Sequence, residues 1–547
     1  MKLMNYVEGK WTEGKGEGSA LLNASTGEVV AYASSEGIDL GSVLHYARNV
    51  GNHNLRKLTF HDRGRRLKAL AMHLLSKKDE FYRISYQTGA TKVDSWIDIE
   101  GGIGNLFVMS SKGRREMPDT PFYVDGKPEI LSKGGSFIGH HIYVPKEGVA
   151  IHINAFNFPV WGMLEKIAVN LLAGVPAVVK PATATSYLTE AVVKEIIASN
   201  IFPEGSIQLI SGSARGILDH VTNQDVVTFT GSASTGKMLK SHKNIVEHSV
   251  PFNMEADSLN CCILGEDAKP GSEEFEIFIK EVAKEITVKA GQKCTAIRRT
   301  IVPKNMVDAV GEALSKRLEK TTIGDPTVEG VRMGPLASID QRDEVLSKIS
   351  ELRKSCEVVY QNEAFELLGG DRQKGAFIPP TVLRCEDPFK NTDVHNIEAF
   401  GPVTTLIPYE GRDEAIQLAK MGQGSLVGSI VTADDKFATD MVMGCASSHG
   451  RLLILNKDCA KESTGHGSPM PQLVHGGPGR AGGGEEMGGL RGVFHYMQRT
   501  AIQGHPTTLT KITQVYQPGG ARPEFNVHPF RKYFEELNIG DTLTTEA

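Results

Sequence analysis

The chain has 547 residues, of which 40% are hydrophobic and 23% charged, with a formal net charge of −5. That length supports at least two domains with filled cores, and the slight acidity argues against nucleic acid or an anionic membrane as partner. No apolar run reaches a membrane span, Met1–Asn5 lacks a signal-peptide core, and seven dispersed cysteines suit reduced thiols in a cytoplasmic protein.

Residues 40–115 read as mostly helical and polar-faced. Residues 132–150 alternate as short strands around Gly134-Gly135, Gly139 and Gly148, which predicts a β-ribbon. From 149 to 236, apolar strands alternate with amphipathic helices, the pattern of βαβ units and a parallel sheet. The strands fall at 149–153, 175–179, 206–210 and 226–229. A helix from Pro159 to Ala173 has proline at its start and Gly174 just past its end. A second α/β unit is expected from about Asn260 to 455. Within it, Phe275, Phe278, Val282 and Ile286 recur at helical spacing and predict a helix over 273–289, stopped by Gly291. Residues 463–492 are glycine-rich, as expected of a loop that turns sharply or approaches a ligand. Thr508–Val515 reads as an edge strand that needs a partner.

Several short segments carry residue types suited to chemistry. After the 273–289 helix, Ala290-Gly291-Gln292-Lys293-Cys294-Thr295-Ala296 sets a cysteine next to Lys293 and near Arg298 and Arg299. A thiol there ionises readily and acts as a nucleophile, although a cysteine taken alone is more often a small buried hydrophobe. Asn157, before Phe158-Pro159 at a strand end, offers a helix N-cap or an amide donor to an oxyanion. Lys180, at the carboxyl end of the next strand, is exposed or binds cofactor hydroxyls or phosphates, because ligands of open α/β sheets bind there. Gly231 to Gly236 fits most of a P-loop, but Met238 replaces the hydroxyl that binds magnesium, which argues against an ATPase. The same turn is a simple helix cap or, through its free amides and helix dipole, a diphosphate site. Glu255 is a solvated charge or a general base for water. Glu398 and Phe400 offer a ribose-binding carboxylate and an aromatic packing partner. Gly477 to Gly482 satisfies a dinucleotide fingerprint by letter only, without βαβ context. No His-Glu-x-x-His or paired Cys-x-x-Cys occurs, so no metal site is expected.

In identity, order and spacing together, Asn157-Phe158-Pro159, Lys180-Pro181-Ala182, Gly231-Ser232 with Gly236, Glu255, Gly291-Gln292-Lys293-Cys294 and Glu398-Ala399-Phe400-Gly401-Pro402-Val403 resemble the motifs of the aldehyde dehydrogenase superfamily, over roughly residues 5–505. The resemblance implies an α/β fold with a Rossmann-like cofactor domain (1–131 and 149–258) and an α/β catalytic domain (259–460). It also implies a β-ribbon that joins subunits (132–148 and 495–516) and a glycine-rich closing segment (461–494). By the same resemblance Cys294 attacks an aldehyde, and Asn157 with the Cys294 amide holds the oxyanion. Hydride passes to a nicotinamide, and Glu255 activates water to release the acid from the enzyme thioester. Ile153, Asn154, Lys180 and Thr183 are implied to bind the cofactor, together with Gly231, Ser232, Gly236, Glu398 and Phe400.

Two departures sharpen the reading. Family members commonly read Glu-Leu-Gly-Gly where this chain has Glu255-Ala256-Asp257-Ser258. Many NAD-preferring members carry a glutamate where this chain has Thr183, so NADP is expected, with NAD as the alternative. The tail segments Ser463–Pro469 and Leu473–Gly484 look like the dehydrogenase half of bifunctional phenylacetate-degradation proteins and the related benzoyl-CoA pathway dehydrogenases. That likeness implies a CoA-thioester semialdehyde substrate. Residues 517–547 then read as a linker and the truncated opening of a hydratase-like domain. The superfamily also implies a homo-oligomer, at least a dimer. A CoA-acylating dehydrogenase is the close rival, against which Glu255 argues. A catalytically silent binding protein on the same scaffold is the distant one, disfavoured by Asn157, Glu255 and Cys294 standing together.

Overall fold

The structure, a computed structural model, describes residues 1–521, the side chains of Glu486 and Met487 aside. The hydratase-like opening expected near the C-terminus therefore lies outside the described residues. The chain divides into one unit of Met1–Pro121 with Pro145–Met497, and a second drawn from Phe122–Val144 and the residues from Gln498 on.

Two seven-stranded sheets organise the first unit. The first contains β1 (Met4–Val7), β2 (Lys10–Glu13), β3 (Ala150–Ile153), β4 (Ala177–Lys180), β5 (Ile207–Leu209), β6 (Val226–Thr230) and β7 (Phe252–Glu255), in the order β7-β6-β3-β4-β5-β1-β2. The five strands from β7 to β5 run parallel, and β1 and β2 close the other edge in antiparallel fashion. The chain steps from β3 outward to β4 and β5, then returns to place β6 on the other side of β3. Such a reversal opens a crevice at the carboxyl ends of the strands, where ligands of α/β sheets bind. Register brings the ends together: Ile153 lies opposite Lys180 and Phe229, and Thr230 lies opposite Glu255.

The second sheet holds β8 (Cys261–Leu264), β9 (Arg299–Pro303), β10 (Glu357–Gln361), β11 (Thr381–Arg384), β12 (Val403–Tyr409), β13 (Ser425–Val431) and β14 (His449–Leu455), in the order β10-β11-β12-β9-β8-β13-β14. Only β10 is antiparallel to its neighbour. β12 and β13 are buried along their whole length, as expected of strands covered on both faces. One core cluster includes Phe437, Leu383, Ile301 and Val345, and another Phe278, Leu314, Val302 and Leu406.

Three helices position the site. α1 (Pro159–Ala173) has proline in its first turn and ends at Gly174 in the left-handed conformation, as its sequence predicts. It is buried on almost every side, yet it carries the charged pair Glu165-Lys166 inside that apolar setting. α2 (Ala233–Lys240) is capped by the Ser232 side chain. α3 (Glu273–Thr287) is capped by Ser272 and buries Phe275, Phe278, Val282 and Ile286.

α3 ends two residues short of the expected Lys289, and Gly291 is not its stop. Val288 turns extended, and Lys289, Ala290 and Gly291 follow with φ of 52°, 50° and 68°. Left-handed backbone is costly for Lys289 and Ala290, so it persists only where surroundings impose it. Here the Lys289 amide donates to Asp94 at 2.7 Å, and its ammonium donates to Thr88 Oγ1 at 3.0 Å. At Gly291 a side chain would collide with the Gly401 carbonyl, 2.1 Å from where its Cβ would lie.

The second unit is a three-stranded sheet of Met497–Gly504, Ile138–Pro145 and Tyr123–Ile130, in that order. The ribbon thus opens at Tyr123, nine residues before the expected start at 132. Gly126 and Pro128 hide that strand from a pattern search, and a register irregularity between Asp125 and Glu129 absorbs them. The segment read as an edge strand at 508–515 is instead a helix, Pro506–Thr513. Its alternating β-branched residues suggest a strand, but Pro506 fits the first helical turn and His505 accepts from the Thr507 amide at 3.2 Å.

Candidate active site

The three residues expected to carry catalysis, Cys294, Glu255 and Asn157, line one cavity. Trp161, Glu165, Lys166, Thr230 and His475 share it. Asn157 follows β3 and is buried. Its Nδ2 donates to the Gln292 carbonyl at 3.0 Å, which ties it to the cysteine loop and leaves its second N–H for a ligand. Asn157 does not cap α1; Phe158 stands at that position.

The loop of Cys294 is fixed by Asn260, Gln292 and Arg298, to which the sequence alone assigns no such role. Asn260 Nδ2 donates to the carbonyls of Cys294 (2.7 Å) and Ala296 (3.1 Å). Gln292 accepts from the Ala337 amide and donates to the Lys289 carbonyl. Arg298 donates to the carbonyls of Gly291, Lys293 and Gly401 at 2.9, 3.2 and 2.7 Å, clamping the loop against the 398–403 segment. The expectation that neighbouring cations lower the Cys294 thiol is overturned. Lys293 is held by both Glu285 oxygens at 2.7 Å, and Arg299 donates to the carbonyls of Leu259, Leu418 and Ala419. Burial and the nearby Glu255 push the thiol up to about 12, with His475 acting in the opposite direction.

Glu255 ends β7 and is buried, and neither carboxylate oxygen has a hydrogen-bond partner among the described residues. Such a group in a native fold calls for an explanation, and a reacting partner is one. His475 Nε2 lies 3.5 Å from Glu255 Oε2, while Nδ1 lies 3.0 Å from Glu165 Oε2. One donor atom each from Glu255, Cys294 and His475 lies within 4.8 Å of the others. These three residues are far apart in sequence, so no spaced motif announces the cluster.

His475 reaches this place because the glycine-rich segment docks on β7. The Ala256 amide donates to the Ala481 carbonyl (3.1 Å), and Asn253 Nδ2 donates to the Glu485 carbonyl (2.9 Å). Arg480 donates twice to Asp257 Oδ2, at 2.9 and 2.6 Å. The departure at Asp257-Ser258 thereby gains a structural meaning. Asp257 holds the segment that delivers His475, and the Ser258 hydroxyl donates to Asn260, which holds the cysteine loop.

The residues expected to bind cofactor divide between the sheet edge and the 398–403 segment. Ile153 is half-buried at the end of β3. Asn154 follows it, accepting from Lys166 Nζ at 3.0 Å while its Nδ2 has no partner among the described residues. Lys180 ends β4; burial pushes its pKa down to about 8, and its ammonium donates to the Pro181 carbonyl. Thr183 is half-buried in the short turn that follows. Gly231 and Gly236 lie against the Phe229 ring, where an added Cβ would come within 2.7 and 3.1 Å of ring carbons, so packing there calls for glycine at both. Ser232 is exposed at the N-terminus of α2. Glu398 lies 3.7 Å from Arg298 Nε; burial pushes its pKa up to about 7 against the pull of that guanidinium. Phe400 meets Phe156 edge-on at 6.0 Å and lies under the Arg298 guanidinium at 5.3 Å. The open Asn154 amide and the Glu398 oxygen, which has no hydrogen-bond partner among the described residues, are polar ends that a dinucleotide fits.

Residues 11–502 match the aldehyde dehydrogenase family. A 3,4-dehydroadipyl-CoA semialdehyde dehydrogenase of Aromatoleum evansii is 43% identical over 482 residues, which cover 87% of this chain and 93% of that protein. Protein MaoC of Klebsiella aerogenes is 53% identical over 217 residues, covering 39% of this chain and 62% of that protein. Among solved structures, a lactaldehyde dehydrogenase superposes with a TM-score of 0.79 at 20% identity, over 92% of this chain and 99% of the other. A betaine aldehyde dehydrogenase variant from Staphylococcus aureus in complex with NAD+ gives 0.78 at 23% identity, over 92% and 95%. The fold is thus shared across distant sequences, and the chain belongs to the aldehyde dehydrogenase family, oxidoreductases that act on the aldehyde group.

Proposed function

We propose that the chain oxidises a CoA-thioester semialdehyde from aromatic-compound breakdown to the free acid, with NADP as electron acceptor. The observation that carries this reading is the convergence of Cys294, Glu255 and Asn157 on one cavity. The CoA-linked substrate is supported by the likeness to the Aromatoleum enzyme over nearly the whole of both chains. When bound, the nicotinamide supplies the hydride acceptor. Cys294 forms a bond to the aldehyde carbon, and the free Asn157 N–H with the Cys294 amide holds the oxygen as its charge develops. Glu255, buried beside the sulfur, takes a proton from water and so releases the acid from the thioester. Ile153, Asn154, Lys180, Thr183, Gly231, Ser232, Gly236, Glu398 and Phe400 bind the dinucleotide. Thr183 in place of a carboxylate removes repulsion of a 2′-phosphate, which is the ground for NADP over NAD.

We further take the protein as at least a dimer. Ile130, Leu131 and Phe137, at the ribbon turn, are 72%, 48% and 43% exposed and suit burial against a second copy. All seven cysteines are free thiols, which suits the cytoplasm. No helix among the described residues is long and apolar enough to cross a membrane.

Steady-state kinetics with CoA-linked semialdehydes and simple aldehydes, each with NADP and NAD, tests substrate and cofactor together. Higher kcat/KM for NADP and for CoA-linked substrates is expected; a clear NAD preference overturns the cofactor assignment. Glu255→Gln should lower kcat by about 10²- to 10⁴-fold and leave an acyl adduct on Cys294 visible by mass. Normal turnover by that variant would remove Glu255 as the base, and a CoA thioester as product would favour an acylating dehydrogenase.

A further inference from the structure

His475 belongs to none of the motifs that point to the family, yet its surroundings are the most specific in the cavity. Nδ1 lies 3.0 Å from Glu165 Oε2, and that same oxygen accepts from Trp161 Nε1 at 2.9 Å. Trp161 and Glu165 stand one turn apart on α1, so a buried helix holds the carboxylate that orients the ring. Nε2 faces Glu255 Oε2 at 3.5 Å, with the Cys294 sulfur in the same small cluster. A carboxylate close to each nitrogen favours the doubly protonated ring, an imidazolium, over the neutral one.

His152, on β3, shows the opposite case. It too is buried, but its nitrogens meet the neutral Thr228 hydroxyl and Asn170 amide, and burial pushes its pKa down to about 3. At His475 burial opposes the charge as well, but Glu255 and Glu165 hold the pKa well above the ordinary value. The two histidines differ in their partners, not in their depth.

We propose that His475 is a further catalytic residue, an imidazolium that stabilises the Cys294 thiolate from Nε2 while Glu165 and Trp161 hold it in place and Glu255 receives the thiol proton. The proposal rests on the reading of Cys294 as nucleophile. In the step, the S–H bond breaks and its proton moves to a Glu255 oxygen, which passes it on to solvent before Glu255 acts as base toward water. The electron pair stays on sulfur and then forms the bond to the aldehyde carbon, while the imidazolium keeps both protons. A thiol and a carboxylate become a thiolate and a carboxylic acid, so the net charge of the cluster does not change in that transfer. The neighbouring cations do not serve this need, because Lys293 is held by Glu285 and Arg298 is turned to the carbonyls of Gly291, Lys293 and Gly401.

The test uses the full chain with His475→Gln and His475→Ala, and reads alkylation of Cys294 by iodoacetamide at pH 7.5, located by peptide mass, beside kcat for a CoA-linked semialdehyde. Alkylation should slow by about 10-fold or more in both variants and kcat should fall by about 10²-fold, within the range for a lost proton-handling group. Glu165→Gln, which keeps the ring but weakens its anchor, should produce a smaller fall in both readouts. Cofactor affinity should stay unchanged in all three. Alkylation within threefold of wild type in either folded histidine variant overturns the proposal. Failure of the underlying reading looks different: Cys294→Ala would then still oxidise aldehyde.

Discussion

The Cys294 loop runs between two buried sets of charges that are satisfied in opposite ways. On one side, Lys293 and Glu285 form a closed pair, with both carboxylate oxygens 2.7 Å from the ammonium and side-chain exposures of 4% and 0%. Gly467 seals them; a Cβ there would fall 2.0 Å from the Lys293 nitrogen. On the other side, both Glu255 oxygens and His475 Nε2 are buried with no hydrogen-bond partner among the described residues. Burial alone therefore does not separate structural charges from reacting ones. A closed pair has nothing left to offer a substrate, whereas unpaired donors and acceptors around a thiol are costly until something arrives to use them.

The largest expected effect removes the centre of the open cluster. Cys294→Ala should abolish aldehyde oxidation, by at least about 10³-fold, while leaving cofactor affinity and melting temperature near wild type. Activity retained within tenfold would remove the nucleophile from the scheme. The closed pair should fail in the other manner. Lys293→Met leaves the Glu285 charge buried without a partner, a change that typically costs about 3–5 kcal/mol, so the melting temperature should drop. Adding Glu285→Gln removes the stranded charge and should recover most of that loss. If Lys293→Met melts like wild type but loses activity, the pair belongs with the chemistry and the contrast between the two sides collapses.

The same contrast explains what the sequence could reveal. α1 was legible because Pro159 and Gly174 mark its ends locally, and the parallel strands were legible because each is a short apolar run. Cys294, Asn157 and Glu255 stand in short motifs whose order along the chain is informative. His475 could not be found that way, since its role depends on Arg480 meeting Asp257 and on the Ala256–Ala481 backbone bond across distant segments. One local signal was available: Glu165-Lys166 is a charged pair inside an otherwise apolar buried helix, and such groups need partners. The end of α3 was misread for a related reason. Its left-handed turn is imposed by Asp94 and Thr88, which contact Lys289 from far away in sequence. The 508–515 segment failed because β-branched alternation competes with a proline and a histidine cap, and the cap decides.

Lys180 offers the smallest effect and a third case between the two sides. It is a half-buried cation that donates to its own neighbour's carbonyl, with burial lowering its pKa to about 8. The charged form exists below that pH and is lost above it. An anionic dinucleotide favours the charged form, so binding should take up a proton near pH 8, and affinity should be full at pH 7 and fall as pH rises. Between pH 7 and 9 the dissociation constant for NADP should increase by about tenfold, as the protonated fraction declines. Lys180→Met should bind weakly at both pH values, with no such slope. A flat profile in the wild-type protein would mean that Lys180 resembles Lys293, a charge held by the fold and not one that waits for a ligand.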